Sequence, residues 1–475
     1  ISGGVCTSPA RIIYRKDGMK QTPREYQALA NQMVFDSWDK GYKKPLLVMP
    51  TGSGKTTTAA MIIERFIKDG KKVLFIAHRR ELVEQAYSRF AIHGMDSGLI
   101  LPGYHPNGHK LIIASVQTLI RREVPDVDLI VVDESHHSLS KSFLRILDEH
   151  VAKGERILGL TATPYRLDGK PLGFIFDDLV MPTTIKDLID GGYLVQPRYF
   201  GAQREDLEGV KKVAGEYDSK EMFARYNKKT LYDNIIDQYV NFGGGKALVF
   251  CINVEHSMAT RDAFADAGFK VAHVDGDTGI VERMATLRAF RQGSVEILCN
   301  CNLFTEGFDL PAIDTVIINR TTASLCLYTQ MVGRGLRPSP GKEHGIIIDM
   351  GNNIYKHGFV EDERDFDLHA IKKKKNEGIY PIKTCPKCFS NVPAGCTVCP
   401  ICKHVFPIKE MELIAAPFEE IKASPAGRKE KLPQHLRKKW SEMIREELEE
   451  VAKIRGYKKG WVFMQLKHRK GMVYA

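Results

Sequence analysis

The chain has 475 residues, 43% hydrophobic and 27% charged, with a formal net charge of +11. At roughly 100–200 residues per domain this length excludes a single ordinary domain and allows two to four. No apolar run approaches the roughly 18 residues of a helical membrane span, which argues against a membrane role, and the basic excess suits a polyanionic partner.

In chain order, the start Ile1-Ser-Gly-Gly shows no charged segment followed by an apolar one, so no secretory signal is expected and the end reads as trimmed or engineered. From Leu46 to Phe200 short apolar runs recur at Leu46, Val73, Leu111, Leu129 and Ile157, with helical segments such as Thr56 to Lys68 and Arg80 to Phe90 between them. That alternation predicts βα units around a parallel sheet, whose doubly buried strands need near-continuous apolar residues. A second series at Ala247, Val271, Glu296, Thr315 and Gly345 predicts a second α/β domain. The expected boundaries are an extension at 1–22, a first domain at 23–200, a helix-leaning linker at 201–238 and a second domain at 239–365. A basic linker at 366–380, a Cys-rich module at 381–410 and a basic tail at 411–475 follow.

Met49-Pro-Thr-Gly-Ser-Gly-Lys-Thr56 lies between an apolar strand and a helix, the context a phosphate-binding loop requires. Gly52 and Gly54 let backbone N–H groups close around phosphate oxygens, and the helix N-terminus adds its positive dipole end. Thr51, Ser53 and Thr57 complete the candidate cradle; Lys55 reaches for the β and γ phosphates and Thr56 for Mg²⁺. Met49 departs from the general pattern, which has Gly there. A plain βα turn is the alternative, but Leu129-Ile-Val-Val-Asp-Glu-Ser-His136 supplies the second half of a site. Asp133 is suited to hold Mg²⁺, directly or through water, and Glu134 to orient and deprotonate the attacking water.

With the remaining motifs in order, the sequence resembles the superfamily 2 DExH helicases from about Pro23 to Asp349, and the resemblance implies two tandem RecA-like domains. Pro23-Arg-Glu-Tyr-Gln27 is similar to the family's adenine-reading segment, which implicates Arg24 and Gln27. His78 and Arg79 in one segment, and Gln117 and Thr118 in another, resemble elements that touch the phosphodiester backbone. Thr161-Ala-Thr163 resembles the motif that couples hydrolysis to movement. Thr305-Glu-Gly-Phe-Asp309 resembles an element shared between strand and nucleotide, assigning Thr305 to nucleic acid and Gly307 and Asp309 to nucleotide. Gln330-Met-Val-Gly-Arg-Gly-Leu-Arg337 resembles the arginine-finger element, with Gln330, Arg334 and Arg337 as catalytic candidates. The spelling of DESH, TEGFDLP and QMVGRGLRP is most similar to the DNA-repair and phage recombination branch. The resemblance therefore implies an ATP- and Mg²⁺-dependent DNA helicase or duplex translocase, acting on single-stranded, duplex or branched DNA inside a prokaryotic, phage-infected or other cell. An RNA helicase and an ATP-gated clamp that binds nucleic acid without separating strands are the alternatives.

Among the ten Cys, five fall between Cys385 and Cys402, a pattern of metal ligation rather than of a disulfide framework. Cys385, Cys388, Cys399 and Cys402 form two CPxC knuckles that predict a zinc-ribbon-like Zn²⁺ site, although the Gly often found after each second Cys is Phe389 and Lys403 here. Cys396 is a spare thiol that can replace a ligand, and His404 a weaker one; metal-free thiols or an iron–sulfur centre are the other readings. In the tail, residues 427–475 hold 14 Lys or Arg against 6 Glu. Leu436, Trp440, Ile444, Leu448 and Val451 recur at helical spacing, predicting an amphipathic helix. Tyr457, Trp461 and Phe463 interleave with Lys458, Lys459, Lys467, Arg469 and Lys470 in a mix that suits either nucleic-acid contact or a solvated basic helix with buried rings.

Overall fold

The computed structural model describes residues 22–106, 108–137, 143–147, 155–164, 171–201, 210–213, 216–301, 303–304, 313–369, 380–407, 433–436, 444–455 and 462. The chain divides into two compact units, Ile1–Pro407 and Ile408–Ala475.

The larger unit holds both expected sheets. Its first strands are β1 (Pro45–Val48), β2 (Val73–Ala77), β3 (Ser97–Ile100), β4 (Leu111–Ser115), β5 (Leu129–Val132), β6 (Arg156–Thr161) and β7 (Asp178–Val180). They form one parallel sheet in the order β3-β4-β2-β5-β6-β1-β7. Every residue of β1, β2, β4 and β5 is buried, as a sheet covered on both faces demands. Helices α1 (Glu25–Asp39), α2 (Lys55–Lys68) and α3 (Arg80–Ile92) bury apolar residues such as Val34, Ile63 and Phe90 in one core cluster. Because all strands run the same way, the loops leaving β1, β5 and β6 converge on one edge, where sheets of this type form their sites.

The second sheet is built from β8 (Gln196–Phe200), β11 (Ala247–Cys251), β12 (Val271–Val274), β13 (Ile297–Asn300), β14 (Thr315–Asn319), β15 (His344–Asp349), β16 (Ile382–Thr384) and β17 (Asn391–Pro393), with β9 (Lys212–Val213) and β10 (Glu216–Tyr217) as a separate hairpin. Its order is β12-β13-β11-β14-β15-β8-β17-β16. Two boundaries therefore differ from the sequence reading. Strand β8, expected at the end of the first domain, pairs in parallel with β15 of the second from Gln196↔His344 to Phe200↔Ile348. The Cys module, expected as a segment of its own at 381–410, adds β17 antiparallel to β8 at Asn391↔Tyr199, and Asn391 Nδ2 donates to Gly201 O at 2.8 Å. Without the module β8 would be an open edge with unsatisfied backbone groups, which accounts for the docking. The expected linker contributes the helices Ser219–Tyr226 and Lys229–Phe242, and the latter buries Ile235 and Tyr239 against the second sheet.

In the smaller unit the described residues show a 3₁₀ turn at Gln434–Leu436 and a helix at Arg445–Arg455. Leu436, Leu448 and Val451 cluster as expected, but Ile444 precedes the helix and is 61% exposed, so it does not join the buried face. Trp440, Tyr457, Lys458, Lys459, Trp461, Phe463, Lys467, Arg469 and Lys470 lie outside the described residues.

Candidate active site at the interdomain cleft

The loop after β1 takes the conformation its glycines permit. Gly52 and Gly54 have φ of 88° and 86°, and Gly54 caps α2 in the left-handed region. A Cβ on Gly54 would lie 2.6 Å from Gln27 Nε2. Gln27 Nε2 and Tyr26 Oη both donate to Ser53 O, at 3.0 and 2.7 Å, so α1 braces the loop from outside. Tyr26 is a brace the sequence reading missed; its signal was only its place beside Gln27. The Arg24 guanidinium lies 5.1 Å from the centre of the Tyr193 ring, and its Nη1 donates to Tyr26 Oη at 2.9 Å. Lys55 Nζ sits 3.4 Å from Met49 O, within the loop, and Thr56 and Thr57 open α2 beside it.

Asp133 and Glu134 follow β5 on the same edge. Glu134 has φ of 48°, a conformation that costs a non-glycine residue on the order of 1 kcal/mol or more. Ser135 holds the turn: its Oγ donates to Val132 O at 2.8 Å and accepts from Leu160 N at 2.9 Å. Burial and the neighbouring Glu134 push the Asp133 carboxyl above the usual range, against the pull of Lys55 and His78. Glu134 Oε2 is buried without a hydrogen bond and lies 3.5 Å from His136 Nδ1. Half-buried Asp133 beside buried Glu134, one of whose oxygens lacks a donor, fits a hard divalent cation with oxygen ligands such as Mg²⁺. The Thr161–Thr163 turn after β6 joins this edge: Thr161 Oγ1 donates to Thr163 O at 2.7 Å, and Met49 N donates to Thr161 O at 3.0 Å.

The second domain closes on this edge through the helix Leu325–Arg334. A Cβ on Gly333 would lie 2.9 Å from Thr51 Cβ, and one on Gly52 would lie 3.3 Å from Leu194 Cδ2 and 3.7 Å from Arg337 Cγ. Gln330 and Arg334 are buried on this helix, and Gln330 Nε2 has no hydrogen-bond partner among the described residues. The structure thus brings the segment carrying Gln330, Arg334 and Arg337 onto the glycine-rich loop at Thr51 and Gly52. Thr305, Gly307 and Asp309 lie outside the described residues.

Beside this cleft a groove of about 320 Å³ is lined by Arg79, Arg80, Glu81, Leu101, Ser115 and Gln117, among others, with Thr118 at its wall. Ser115 shapes it by capping the short turn that follows β4 and donating to Thr118 Oγ1 at 2.8 Å. Gln117 Nε2 donates to the backbone O of His78. The His78 side chain does not line the groove; it acts electrostatically on Asp133 instead.

The four predicted thiols also converge. All four Sγ atoms of Cys385, Cys388, Cys399 and Cys402 lie within 4.8 Å of one another, with Cys385 to Cys402 at 3.6 Å and Cys388 to Cys399 at 3.8 Å. Tetrahedral bonds of about 2.3 Å to zinc place sulfurs roughly 3.8 Å apart, so the cluster fits that ion. Cys396 Sγ instead donates to Pro393 O at 3.0 Å, and neither it nor His404 belongs to the cluster. The knuckles repeat one hydrogen-bond pattern: Phe389 N to Cys385 O and Cys385 N to Ser390 O in the first, Lys403 N to Cys399 O and Cys399 N to His404 O in the second. Phe389 and Lys403 both take positive φ, 58° and 59°, which is why glycine suits these positions.

No described helix is long and apolar enough to cross a membrane. The chain is 30% identical over 410 residues to a 51.5 kDa protein of a Lactococcus phage, covering 83% of this chain and 87% of that one. It is 32% identical over 350 residues to a Saccharomyces cerevisiae protein assigned as an ATP-dependent helicase, covering 69% of this chain but 51% of that one, so it spans about half of that relative. In fold it resembles a fragment assigned to the HsdR subunit of a type I restriction enzyme from Vibrio vulnificus, with TM-score 0.56 at 24% identity over 71% of this chain and 66% of the other. Family models described as "Type III restriction enzyme, res subunit" and "Helicase conserved C-terminal domain" match residues 20–166 and 228–339. With the glycine-rich loop, the acidic pair and the helix Leu325–Arg334 assembled at one cleft, these likenesses establish that the chain belongs to the superfamily 2 DExH helicases, nucleic-acid-dependent ATP hydrolases.

Proposed function

We propose that this protein is an ATP-driven DNA helicase or duplex translocase that acts on forked or otherwise branched DNA. The observation that supports the reading is the closeness of Gly333 to Thr51, where an added Cβ would lie 2.9 Å from Thr51 Cβ, so that the helix proposed to lead to the finger arginines lies against the loop proposed to bind phosphate. Mg²⁺, bound with ATP, would offset phosphate charge. The loop N–H groups and Lys55 bind the phosphates, Thr56 and Asp133 would hold the ion, and Arg24 and Gln27 flank the base. Glu134 takes a proton from the attacking water as its oxygen bonds the γ phosphorus and the bond to the ADP oxygen breaks. Arg334 and Arg337, aligned by Gln330, stabilise the charge that peaks in the transition state, so hydrolysis requires a closed cleft.

Arg79, Gln117 and Thr118 grip the phosphodiester backbone in the groove beside α3, and Thr305 contributes from the second domain. Cleft opening and closing then shifts the two grips relative to each other, turning hydrolysis into steps. The four thiols of the Cys module would hold Zn²⁺, which would stabilise the fold of the segment that pairs with β8, and the basic tail adds contact with DNA. The choice of DNA is supported by the restriction-enzyme family model and by the restriction-enzyme likeness in fold.

The test is ATP hydrolysis measured with single-stranded, duplex and forked DNA and with RNA. Stimulation by DNA, strongest with forks, is expected. Stimulation by RNA alone would overturn the assignment to DNA, and binding to DNA without any stimulation would point to an ATP-gated clamp.

A further inference from the structure

We infer that Lys342 is a positioning residue for the finger arginines, an inference that rests on the roles proposed for Arg334 and Arg337. The helix Leu325–Arg334 ends at the first of these arginines; Gly335 N and Leu336 N turn back onto Val332 O and Gly333 O, at 2.9 and 3.4 Å, and the carbonyls that follow, from Gly335 to Arg337, take their donors from elsewhere in the fold. Lys342 Nζ donates to Gly335 O at 2.6 Å, to Arg337 O at 3.0 Å and to Ile313 O at 2.5 Å. All three ammonium protons are thereby engaged, and the third bond ties the finger segment to the approach to β14.

The carbonyl between these two is held as well. Leu336 O accepts from Val195 N at 2.9 Å, immediately ahead of β8. The three consecutive carbonyls from Gly335 to Arg337 are thus each fixed from outside the helix, two of them by one side chain. A turn brings the lysine back to that place: Lys342 N donates to Ser339 O at 3.0 Å, and Gly341 supplies φ of 78°. The start of β15 closes the space from another side, since a Cβ on Gly345 would lie 2.4 Å from Gly335 O. A group that fixes the backbone from Gly335 to Arg337 fixes where the guanidinium groups on either side can reach. Misplacement of about 1 Å in such machinery costs roughly a hundredfold in rate.

The experiment compares Lys342→Met, Lys342→Arg, Arg334→Ala, Arg337→Ala and the Lys342→Met/Arg337→Ala double variant in the full chain, with thermal unfolding as a control. For Lys342→Met we expect DNA-stimulated kcat to fall by about tenfold or more, while KM for ATP and affinity for ADP stay within about twofold. Affinity for ADP with aluminium fluoride, which mimics the transferring phosphoryl group, should fall by the same factor as kcat. Lys342→Arg, which keeps a cation and its donors, should recover most of the rate. On the Arg337→Ala background Lys342→Met should add less than about a twofold loss, because the two act as a unit.

Impaired arginine variants beside a fully active Lys342→Met would overturn this inference alone. A full-sized additional loss on the Arg337→Ala background would do the same. Wild-type turnover in both arginine variants would remove the underlying reading, and this inference with it. If Lys342→Met fails to fold, Lys342→Gln is read with the same two nucleotide ligands, and equal weakening of both overturns the inference.

Discussion

Gly333→Ala tests whether the cleft seen here is the catalytic one. The added methyl carbon would lie 2.9 Å from Thr51 Cβ and 3.2 Å from Thr51 Cγ2, where carbon atoms ordinarily rest roughly 3.5–4.0 Å apart. Relief requires the finger helix and the phosphate loop to separate by roughly 1 Å. A displacement of that size between reacting groups costs about a hundredfold in rate. Nothing comparable threatens the second domain itself, because alanine at a helix position is about 1 kcal/mol more favourable than glycine. The expected signature is therefore a split: DNA-stimulated kcat down by about a hundredfold, ADP binding and thermal stability unchanged or slightly improved. Steady-state hydrolysis, ADP titration and thermal unfolding of the same preparation would measure it. Wild-type turnover, or a rate loss matched by loss of the folded state, would refute the reasoning.

Lys55→Ala should abolish ATP binding and hydrolysis, whereas Glu134→Gln should bind ATP normally and not turn it over, since one removes the phosphate anchor and the other only the base; equilibrium binding and single-turnover assays separate them. Lys403→Gly should relieve a φ of 59° and strengthen zinc retention against a competing chelator by roughly 0.5–1 kcal/mol, an effect best sought at this exposed position because Phe389 also packs near Phe242. Metal analysis should find one zinc per chain in the wild type and none in Cys399→Ser. Burial holds His256 down to about 4, so the native state keeps it neutral while the unfolded chain takes up a proton below about 6.5. Its contribution is complete above pH 6.5 and is lost as pH falls towards 4, about 2 kcal/mol by pH 5. Denaturant unfolding between pH 7 and pH 5 would show this slope, and His256→Gln should flatten it.

The elements that repeat a strong local signal were legible without coordinates. Runs such as Val73–Ala77 and Leu129–Val132 can satisfy a doubly covered sheet only as buried strands, and they fall where the sequence predicted them. Gly52 and Gly54 before Lys55 announce a left-handed turn ahead of α2, and the pairs at Cys385 and Cys399 announce four convergent thiols, because both depend on short-range spacing. Strand β8 was misplaced because Gln196–Phe200 is assigned by its partner in space. Its residues suit either sheet, and only its register with β15 decides. Ile444 had the right spacing for a buried face but lies ahead of the helix that would have carried it.

Short-range spacing along the chain is enough to mark which loop turns through two left-handed glycines, which strand ends in two carboxyl groups and which four thiols converge. What meets across long separations is set by the packing of whole elements and cannot be read from any one stretch. Examples are Thr51 with Gly333, Tyr26 and Gln27 with Ser53, Asn391 with Gly201, and Lys342 with the carbonyls of the finger segment. Such contacts depend on how whole elements pack, and packing satisfies burial and hydrogen bonding over the entire domain rather than within any one stretch of chain.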